Sequence, residues 1–463
     1  MNPPLPKAVR KYLEDHAEPE AREAATDPLS SDSFGHVLCI PAHGESESLF
    51  ETLASIPPGP HGDNLILLIV NETPSTPEGV RETNAQTLKR LRREFGSDGP
   101  VIASGQPLSH PTGTLWLVDR SVAAMPLPDG QGVGLARKVV SDIALAVWSK
   151  GQLASPWIHC TDADAVLPRD YFERAAAVAR HGANTPAALL YDFTHARMTD
   201  PAVDRAALRY EIFLRYYVLG LHAAGSPWAH QSLGSTLAVH ALAYAQVRGF
   251  PKRLAAEDFH LLAKLGKLGP LRQLRGEPIT LSGRPSDRVP FGTGVGVTRE
   301  LERMRTQQPY PAYDPRVFSG LKAWLGCLAE LTPPHGAPAD GPSEGSLRQS
   351  LGRHALHCGF PDPALLWSTL SDQGDVSRAL RASGQGPRAL NEGFDALRTL
   401  RFVHRLRDGG LPSIPLLTAL DEAPFIDPIT TDDLASVRGA LQTLEARRQP
   451  GLHTAPVGNA RAK

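Results

Sequence analysis

The stretch Trp157–Pro168, WIHCTDADAVLP, decides how the rest of the chain is read. It opens on an apolar run, Trp157 to Thr161, of the length and composition of a short buried strand. It closes on two carboxylates, Asp162 and Asp164, with only Ala163 between them. In extended backbone residues i and i+2 point the same way, so this spacing predicts both carboxylates facing one spot. Paired oxygen donors suit a hard divalent cation, Mg²⁺ or Mn²⁺, which takes one or two carboxylates and completes its shell with phosphate oxygens. Pro168 ends the segment, and Tyr171 to Arg180 reads as a helix beneath it. Aspartates are also favoured in an ordinary turn after a strand, so the surroundings must decide.

Toward the N-terminus the pattern alternates. A strand, Gly35–Pro41 (GHVLCIP), breaks at Ala42-His43-Gly44-Glu45, and a helix from Ser46 to Ser55 follows. A second strand, Asn64–Val70 (NLILLIV), is apolar on both faces, as a buried parallel strand is, and ends at Asn71-Glu72. A helix from Gly79 to Phe95 and a strand, Thr114–Val118, come next. This order predicts a doubly wound α/β domain, with ligands bound beyond the carboxyl ends of its strands. In Gln131–Gly151, Ala136, Val139, Val140, Ile143, Ala144 and Val147 recur at helical spacing. Arg137 and Lys138 then fall in the first turn of that helix, where cations oppose the dipole. A bound anion such as phosphate compensates them; a solvated basic pair is the plain alternative.

Toward the C-terminus the chain gives an apolar strand, Ala187–Tyr191, a Tyr- and Phe-rich helix around Arg209–Leu221, and the small-residue run Gly234 to Val239. A Gly249-Phe250-Pro251 turn precedes a helix read as Leu254–Leu268. Glu257 and Asp258 lie near its start, where carboxylates are also electrostatically comfortable without any further role. The segment Ser282–Gly296 mixes glycines with Arg284 and Arg288 and reads as a loop that closes over a phosphate ligand. The division expected is an N-terminal helical arm over 1–33, an α/β domain over 34–300, a connector and Pro/Gly-rich linker over 301–346, an all-α region over 347–448 and a disordered tail over 449–463.

Composition narrows the function. The 463 residues carry 48 Lys+Arg against 49 Asp+Glu, so no net basic field points to nucleic acid. The four cysteines, Cys39, Cys160, Cys327 and Cys358, form no C-x-x-C pair, the profile of a reducing compartment. His354, His357 and Cys358 match no standard metal spacing. No run reaches the ~18 apolar residues of a membrane span, and the first 25 residues lack a signal-peptide core. A cytoplasmic protein is therefore expected.

Taken in order, the breaks Ile40-Pro41-Ala42-His43-Gly44-Glu45, Asn71-Glu72, Asp162-Ala163-Asp164, Gly249-Phe250-Pro251 and Glu257-Asp258 resemble those of the family-2 glycosyltransferases and their relatives of the GT-A fold. The resemblance covers about residues 35–290 and leaves the C-terminal helices outside. His43-Gly44 replaces the usual Tyr-Asn, and Asn71-Glu72 stands where a pair of aspartates often contacts the base. The Q-x-x-R-W signature of processive polysaccharide synthases is absent, which favours a soluble, single-transfer enzyme.

The resemblance implies a Rossmann-like domain with a mixed central sheet and a hexosyltransferase-like activity: transfer from a nucleotide-diphosphate-sugar to an acceptor hydroxyl, of unknown identity, with inversion. It implies Mn²⁺ or Mg²⁺ on Asp162 and Asp164, and Asp258 as the base with Glu257 beside it. Donor contacts are implied for Pro41, His43, Glu45, Asn71, Glu72, Arg137, Lys138, Asp162, Arg284 and Arg288, and acceptor contacts for Gly234 and Ser235. A carboxylate at Asp258 is expected to be ionised at neutral pH. Three rivals stand beside this reading. Asp162 fits the nucleophile of a phosphohydrolase, although that motif normally follows a first strand. Gly132-Val133-Gly134 is a poor dinucleotide fingerprint, lacking the third glycine. A sugar-nucleotide-binding scaffold without turnover is the third.

Overall fold

The computed structural model describes residues 5–26, 33–96, 105–178, 185–287, 290–330, 343–382, 389, 392–448 and 452–453. Two compact units divide the chain. One comprises residues 1–197, 232–295 and 450–463, and the other 198–231 and 296–449.

The first unit is α/β. Helices α1 (Lys7–Asp15) and α2 (Pro19–Thr26) lead into β1 (His36–Ala42), α3 (Glu47–Ser55), β2 (Asn64–Asn71) and α4 (Glu78–Glu94). A hairpin, β3 (Gln106–His110) and β4 (Gly113–Arg120), precedes α5 (Gly132–Ser149), β5 (Trp157–Cys160), β6 (Ala165–Val166) and α6 (Tyr171–Ala176). After β7 (Ala188–His195) the chain leaves for the second unit through α7 (Pro201–Ala223). It returns as β8 (Leu237–His240), α8 (Ala241–Gln246), α9 (Glu257–Leu268) and β9 (Leu271–Leu281).

The strands run β9-β7-β8-β5-β1-β2-β4-β3 across one mixed sheet, with β6 and Leu452–His453 paired to β9. β1 is parallel to β2 and β5, and β2 to β4, while β8 is antiparallel to both β5 and β7, and β7 is parallel to β9. The carboxyl ends of β1, β2, β4, β5, β7 and β9 therefore share one edge, and β8 presents its amino end there. Every residue of β1 and β2 is buried, which explains their unbroken apolar runs. Helix α5 is buried from Gly134 to Val147, between the sheet and the N-terminal helices.

Several elements differ from the sequence reading, each for a physical reason. β5 stops at Cys160, and Ala163-Asp164 forms a turn because β6 must double back to pair with Thr280 and Leu281 of β9. The two aspartates are thus not alternate residues of one extended strand. Helix α5 begins at Gly132, which puts Arg137 and Lys138 beyond its first turn, where the dipole acts less strongly. α9 begins at Glu257 rather than Leu254. The expected tail contains the short strand Leu452–His453, and the rest of 449–463 lies outside the described residues.

The second unit is helical, as the composition of 347–448 suggests, and it recruits more than that segment. α7 belongs to it because Ile212, Tyr216, Leu219 and Leu221 pack in one apolar core with Phe318, Leu321 and Trp324 of a helix at Arg316–Glu330. A buried ion pair ties Arg215 of α7 to Glu211, 2.8 Å away, and to Glu445. Among the described residues no helix is long and apolar enough to cross a membrane.

Candidate active site

Arg137 sits at the centre of the site. It projects from α5, is 3% exposed, and spends three of its five N–H groups on neighbours. Its Nε donates to Glu257 Oε1 at 2.9 Å, one terminal nitrogen donates to the Gly234 carbonyl at 3.0 Å, and the other donates to Asp162. One buried guanidinium thus joins the end of β5, the amino end of β8 and the start of α9. Burial alone would lower the Arg137 pKa, but Asp162 and Glu257 outweigh it and raise it. The compensating anions expected beside Arg137 are therefore, in this structure, the protein's own carboxylates. A Cβ at Gly234 would lie 2.7 Å from the guanidinium, so any larger residue there would displace the clasp.

Asp258 follows Glu257 at the start of α9, after Ala256 in the left-handed conformation (φ 60°). Non-glycine residues rarely adopt it, so the surroundings hold this turn against local strain. Asp258 Oδ1 accepts from the Phe259 N–H at 2.7 Å. Its half-burial and the adjacent Glu257 carboxylate push the Asp258 carboxyl up to about 7, with Arg137 pulling the other way. It is therefore part-protonated at neutral pH, not fully ionised as the sequence suggests. Glu257 itself is buried against Arg137 and supports the site from behind.

Asp164 pairs with Arg284 at 3.0 Å, and the same Arg284 nitrogen reaches Glu45 Oε1 at 2.5 Å. Glu45, buried after β1, also accepts from Ser48 Oγ at 2.8 Å. Arg284 follows β9, so this triad gathers the ends of β1, β5 and β9. Among the described residues no group of three or more His, Cys, Asp or Glu side chains is placed to hold a metal ion. A cation held by two carboxylates alone draws its remaining oxygens from water and a phosphate ligand. Asp162, with a side chain 41% exposed, remains accessible for that role.

The remaining candidates divide. His43 bonds the Asn71 carbonyl through Nδ1 at 2.8 Å, and Pro41 is buried as the penultimate residue of β1. Asn71 ends β2 and Glu72 follows it, each Glu72 oxygen accepting one bond: Oε1 from Asn84 Nδ2 at 3.1 Å, Oε2 from the Val122 N–H at 2.7 Å. Ser235 is buried beside Gly234 at the entrance to β8. Arg288 lies outside the described residues.

Lys138 does not join the site. Its Nζ donates to Asp142 Oδ2 at 2.6 Å, to Tyr12 Oη at 2.7 Å and to the His16 carbonyl at 2.9 Å. Adjacent helical residues point about 100° apart, so when Arg137 faces the site Lys138 faces the N-terminal helices. Asp142 is saturated by Lys138, Tyr12, Tyr244 and the Glu18 N–H, so the arm is a docked part of the unit.

The helix start expected to receive phosphate is also covered, since the Gly134 N–H donates to the Arg253 carbonyl at 3.0 Å. A Cβ at Gly134 would meet the carbonyl oxygens of Arg253 and Pro251 at 2.5 and 2.6 Å. Gly134→Ala is expected to cost roughly 1–3 kcal/mol, because backbone must move to admit the methyl group. Urea denaturation checks this; an unchanged midpoint would mean that the 251–254 segment yields freely.

No family model and no curated protein matches the chain. Among solved structures, S. aureus TarS 1-349 is similar at 12% identity and a TM-score of 0.35, covering 92% of this chain and 95% of that one. The same protein in complex with UDP gives 13% identity and a TM-score of 0.34, with 92% and 95% covered. The mannosyltransferase PcManGT from Pyrobaculum calidifontis, in complex with GDP-Man and Mn²⁺, gives 16% identity and a TM-score of 0.33, with 86% and 93% covered. Likenesses this remote assign no residue a role.

Proposed function

We propose that this protein is a glycosyltransferase of GT-A type. In this reading it moves a sugar from a nucleotide-diphosphate-sugar to an acceptor hydroxyl by a single, inverting displacement. The observation that carries the reading is the Arg137 clasp, which joins an accessible Asp162 to Glu257, next to a carboxyl poised near 7. A base is most effective when its pKa lies near the working pH.

The acceptor oxygen attacks the anomeric carbon as its proton passes to the second oxygen of Asp258, Oδ1 being engaged by Phe259. The bond from that carbon to the diphosphate breaks, and the nucleoside diphosphate leaves with the electron pair. Asp162 and Asp164 would hold Mn²⁺ or Mg²⁺, which would supply positive charge at the departing diphosphate. Arg284, bonded to Glu45 and Asp164, would donate to the same oxygens.

Asp164→Ala is expected to weaken binding of nucleoside diphosphate in Mn²⁺ by at least about tenfold, the order of losing one metal ligand. Excess EDTA should do the same to the wild type. Calorimetry with and without Mn²⁺ checks this; equal affinities in all four conditions would remove the metal from the site. The phosphohydrolase alternative predicts turnover of p-nitrophenyl phosphate lost in Asp162→Asn. It is the weaker reading, because Asp162 is tied to Arg137 at the end of the fifth strand in chain order.

A further inference from the structure

Asn84 projects from α4, a helix in which 8 of 17 residues are charged, yet it is 1% exposed. Its amide ties two chain segments to α4. Oδ1 accepts from the Gly44 N–H at 2.9 Å, and Nδ2 donates to Glu72 Oε1 at 3.1 Å and to the Asn71 carbonyl at 3.3 Å. Gly44 holds a positive φ of 66°, with Val80 of the same helix 3.2 Å from where its Cβ would lie. Glu72 passes the linkage on, since its Oε2 accepts from Val122 and its carbonyl from the Leu127 N–H at 2.8 Å. One buried amide therefore fixes the turn after β1, the end of β2 and, through Glu72, the 121–127 segment after β4.

These ends have a definite place relative to the charged groups. Asp162, Asp164 and Arg137 lie at β5, and the acceptor side is set by α9 and β8, on one side of it. β1 and β2 lie on the other side, and β2 is two strands, roughly 10 Å, from β5. A diphosphate held at β5 with its sugar toward Asp258 directs its nucleoside across β1 to β2. Glu72 is buried, and each of its oxygens accepts a bond from within the protein, so it shapes this surface from beneath.

We propose that Asn84 is the positioning residue of the nucleoside subsite. It sets the Gly44 turn and the Glu72–Val122 link against which the base and ribose lie, and it acts on nucleoside discrimination rather than on diphosphate binding. This rests on the nucleotide-sugar reading above. It goes beyond that reading in naming a residue that touches neither metal nor diphosphate.

The test is calorimetry in Mn²⁺ with uridine, guanosine and adenosine diphosphates and with inorganic pyrophosphate. Asn84→Ala is expected to weaken the best-bound nucleoside diphosphate about tenfold and to flatten the ranking of the three, since buried donors and acceptors lose their partner. Pyrophosphate affinity should stay within about twofold, which a general loss of structure would not allow. Asn84→Asp should behave like Asn84→Ala, because it places two carboxylates face to face. Adding Glu72→Gln to it restores a donor–acceptor pair with reversed polarity, and the ranking should return. This double variant also serves if Asn84→Ala does not fold. Equal losses for pyrophosphate and nucleotides, no loss at all, or no recovery in the double variant would overturn the proposal. A wild type that binds pyrophosphate and nucleoside diphosphates equally would overturn it too, while leaving a phosphate site standing. A wild type that binds neither refutes the nucleotide-sugar reading itself.

Discussion

Asp258→Asn is expected to keep the fold and the Mn²⁺-dependent affinity for nucleoside diphosphate, and to lose transfer by at least the ~10²-fold typical of a general base. Asparagine matches the shape of aspartic acid and can still accept from Phe259, but it cannot take up the acceptor's proton. The wild-type rate should climb as pH rises through about 7, where burial and Glu257 have placed this carboxyl, and then level off. Stability should move the opposite way. A carboxyl raised from 3.8 to about 7 contributes stability that is whole below the lower value and is lost as pH rises through the upper one. Asp258→Asn removes that loss, so its melting temperature should exceed the wild type's at pH 8 and match it near pH 4. A mutant that turns over normally, with the same pH profile, would take the base assignment away from Asp258.

Arg137→Met carries the largest expected cost in stability. Arg137 and Glu257 are both nearly inaccessible, at 3% and 4% exposed, and removing one partner of a buried pair leaves the other charge uncompensated. The loss is expected at about 3–5 kcal/mol. Asp258 feels the change too, because Arg137 is the cation that holds its carboxyl down. Any residual activity should therefore appear at higher pH than in the wild type. Combining Arg137→Met with Glu257→Gln removes both charges and should recover most of the stability, but not transfer. Chemical denaturation of the two variants beside the wild type checks the first claim and a pH–rate profile the second. A single mutant as stable as the wild type would mean that water reaches Glu257, and the clasp would lose its central place.

The parts of the site that lie beside an apolar strand were legible in the chain. WIHC, HVLCIPA and NLILLIVN announce themselves because both faces of β5, β1 and β2 are buried, and the polar residues that interrupt them mark the sheet edge. The α/β class and its all-α companion follow from the same patterns. β9 was not legible: LRQLRGEPITL alternates too poorly, because Arg272 and Gln273 are only partly buried, Arg275 is buried against Asp192 and Glu277 is exposed. Without β9 there is no reason to expect β6, or the turn that carries Asp164. Nor does any local signal link Glu45 to Arg284, which stand 239 residues apart and meet only because β1 and β9 end at one edge. Arg137 and Lys138 looked equivalent as a basic pair, and only the rotation of α5 assigns one to the site and the other to Asp142. Asn84 was hidden by its neighbours. A helix reading EGVRETNAQTLKRLRRE shows a polar face rich in Arg and Glu, and the amide's burial is set by strand ends outside the helix.

The most direct test needs no knowledge of the acceptor. Nucleotide-sugar donors are incubated one at a time with the protein and Mn²⁺, water serves as the slow acceptor, and proton NMR follows which sugar anomer is released first. The account predicts that at least one α-linked donor releases the β-anomer first, at a rate that rises through pH 7 and is lost in Asp258→Asn. Release of the α-anomer from that donor would contradict the single displacement, and a full panel of donors left unconsumed would contradict sugar transfer by this site.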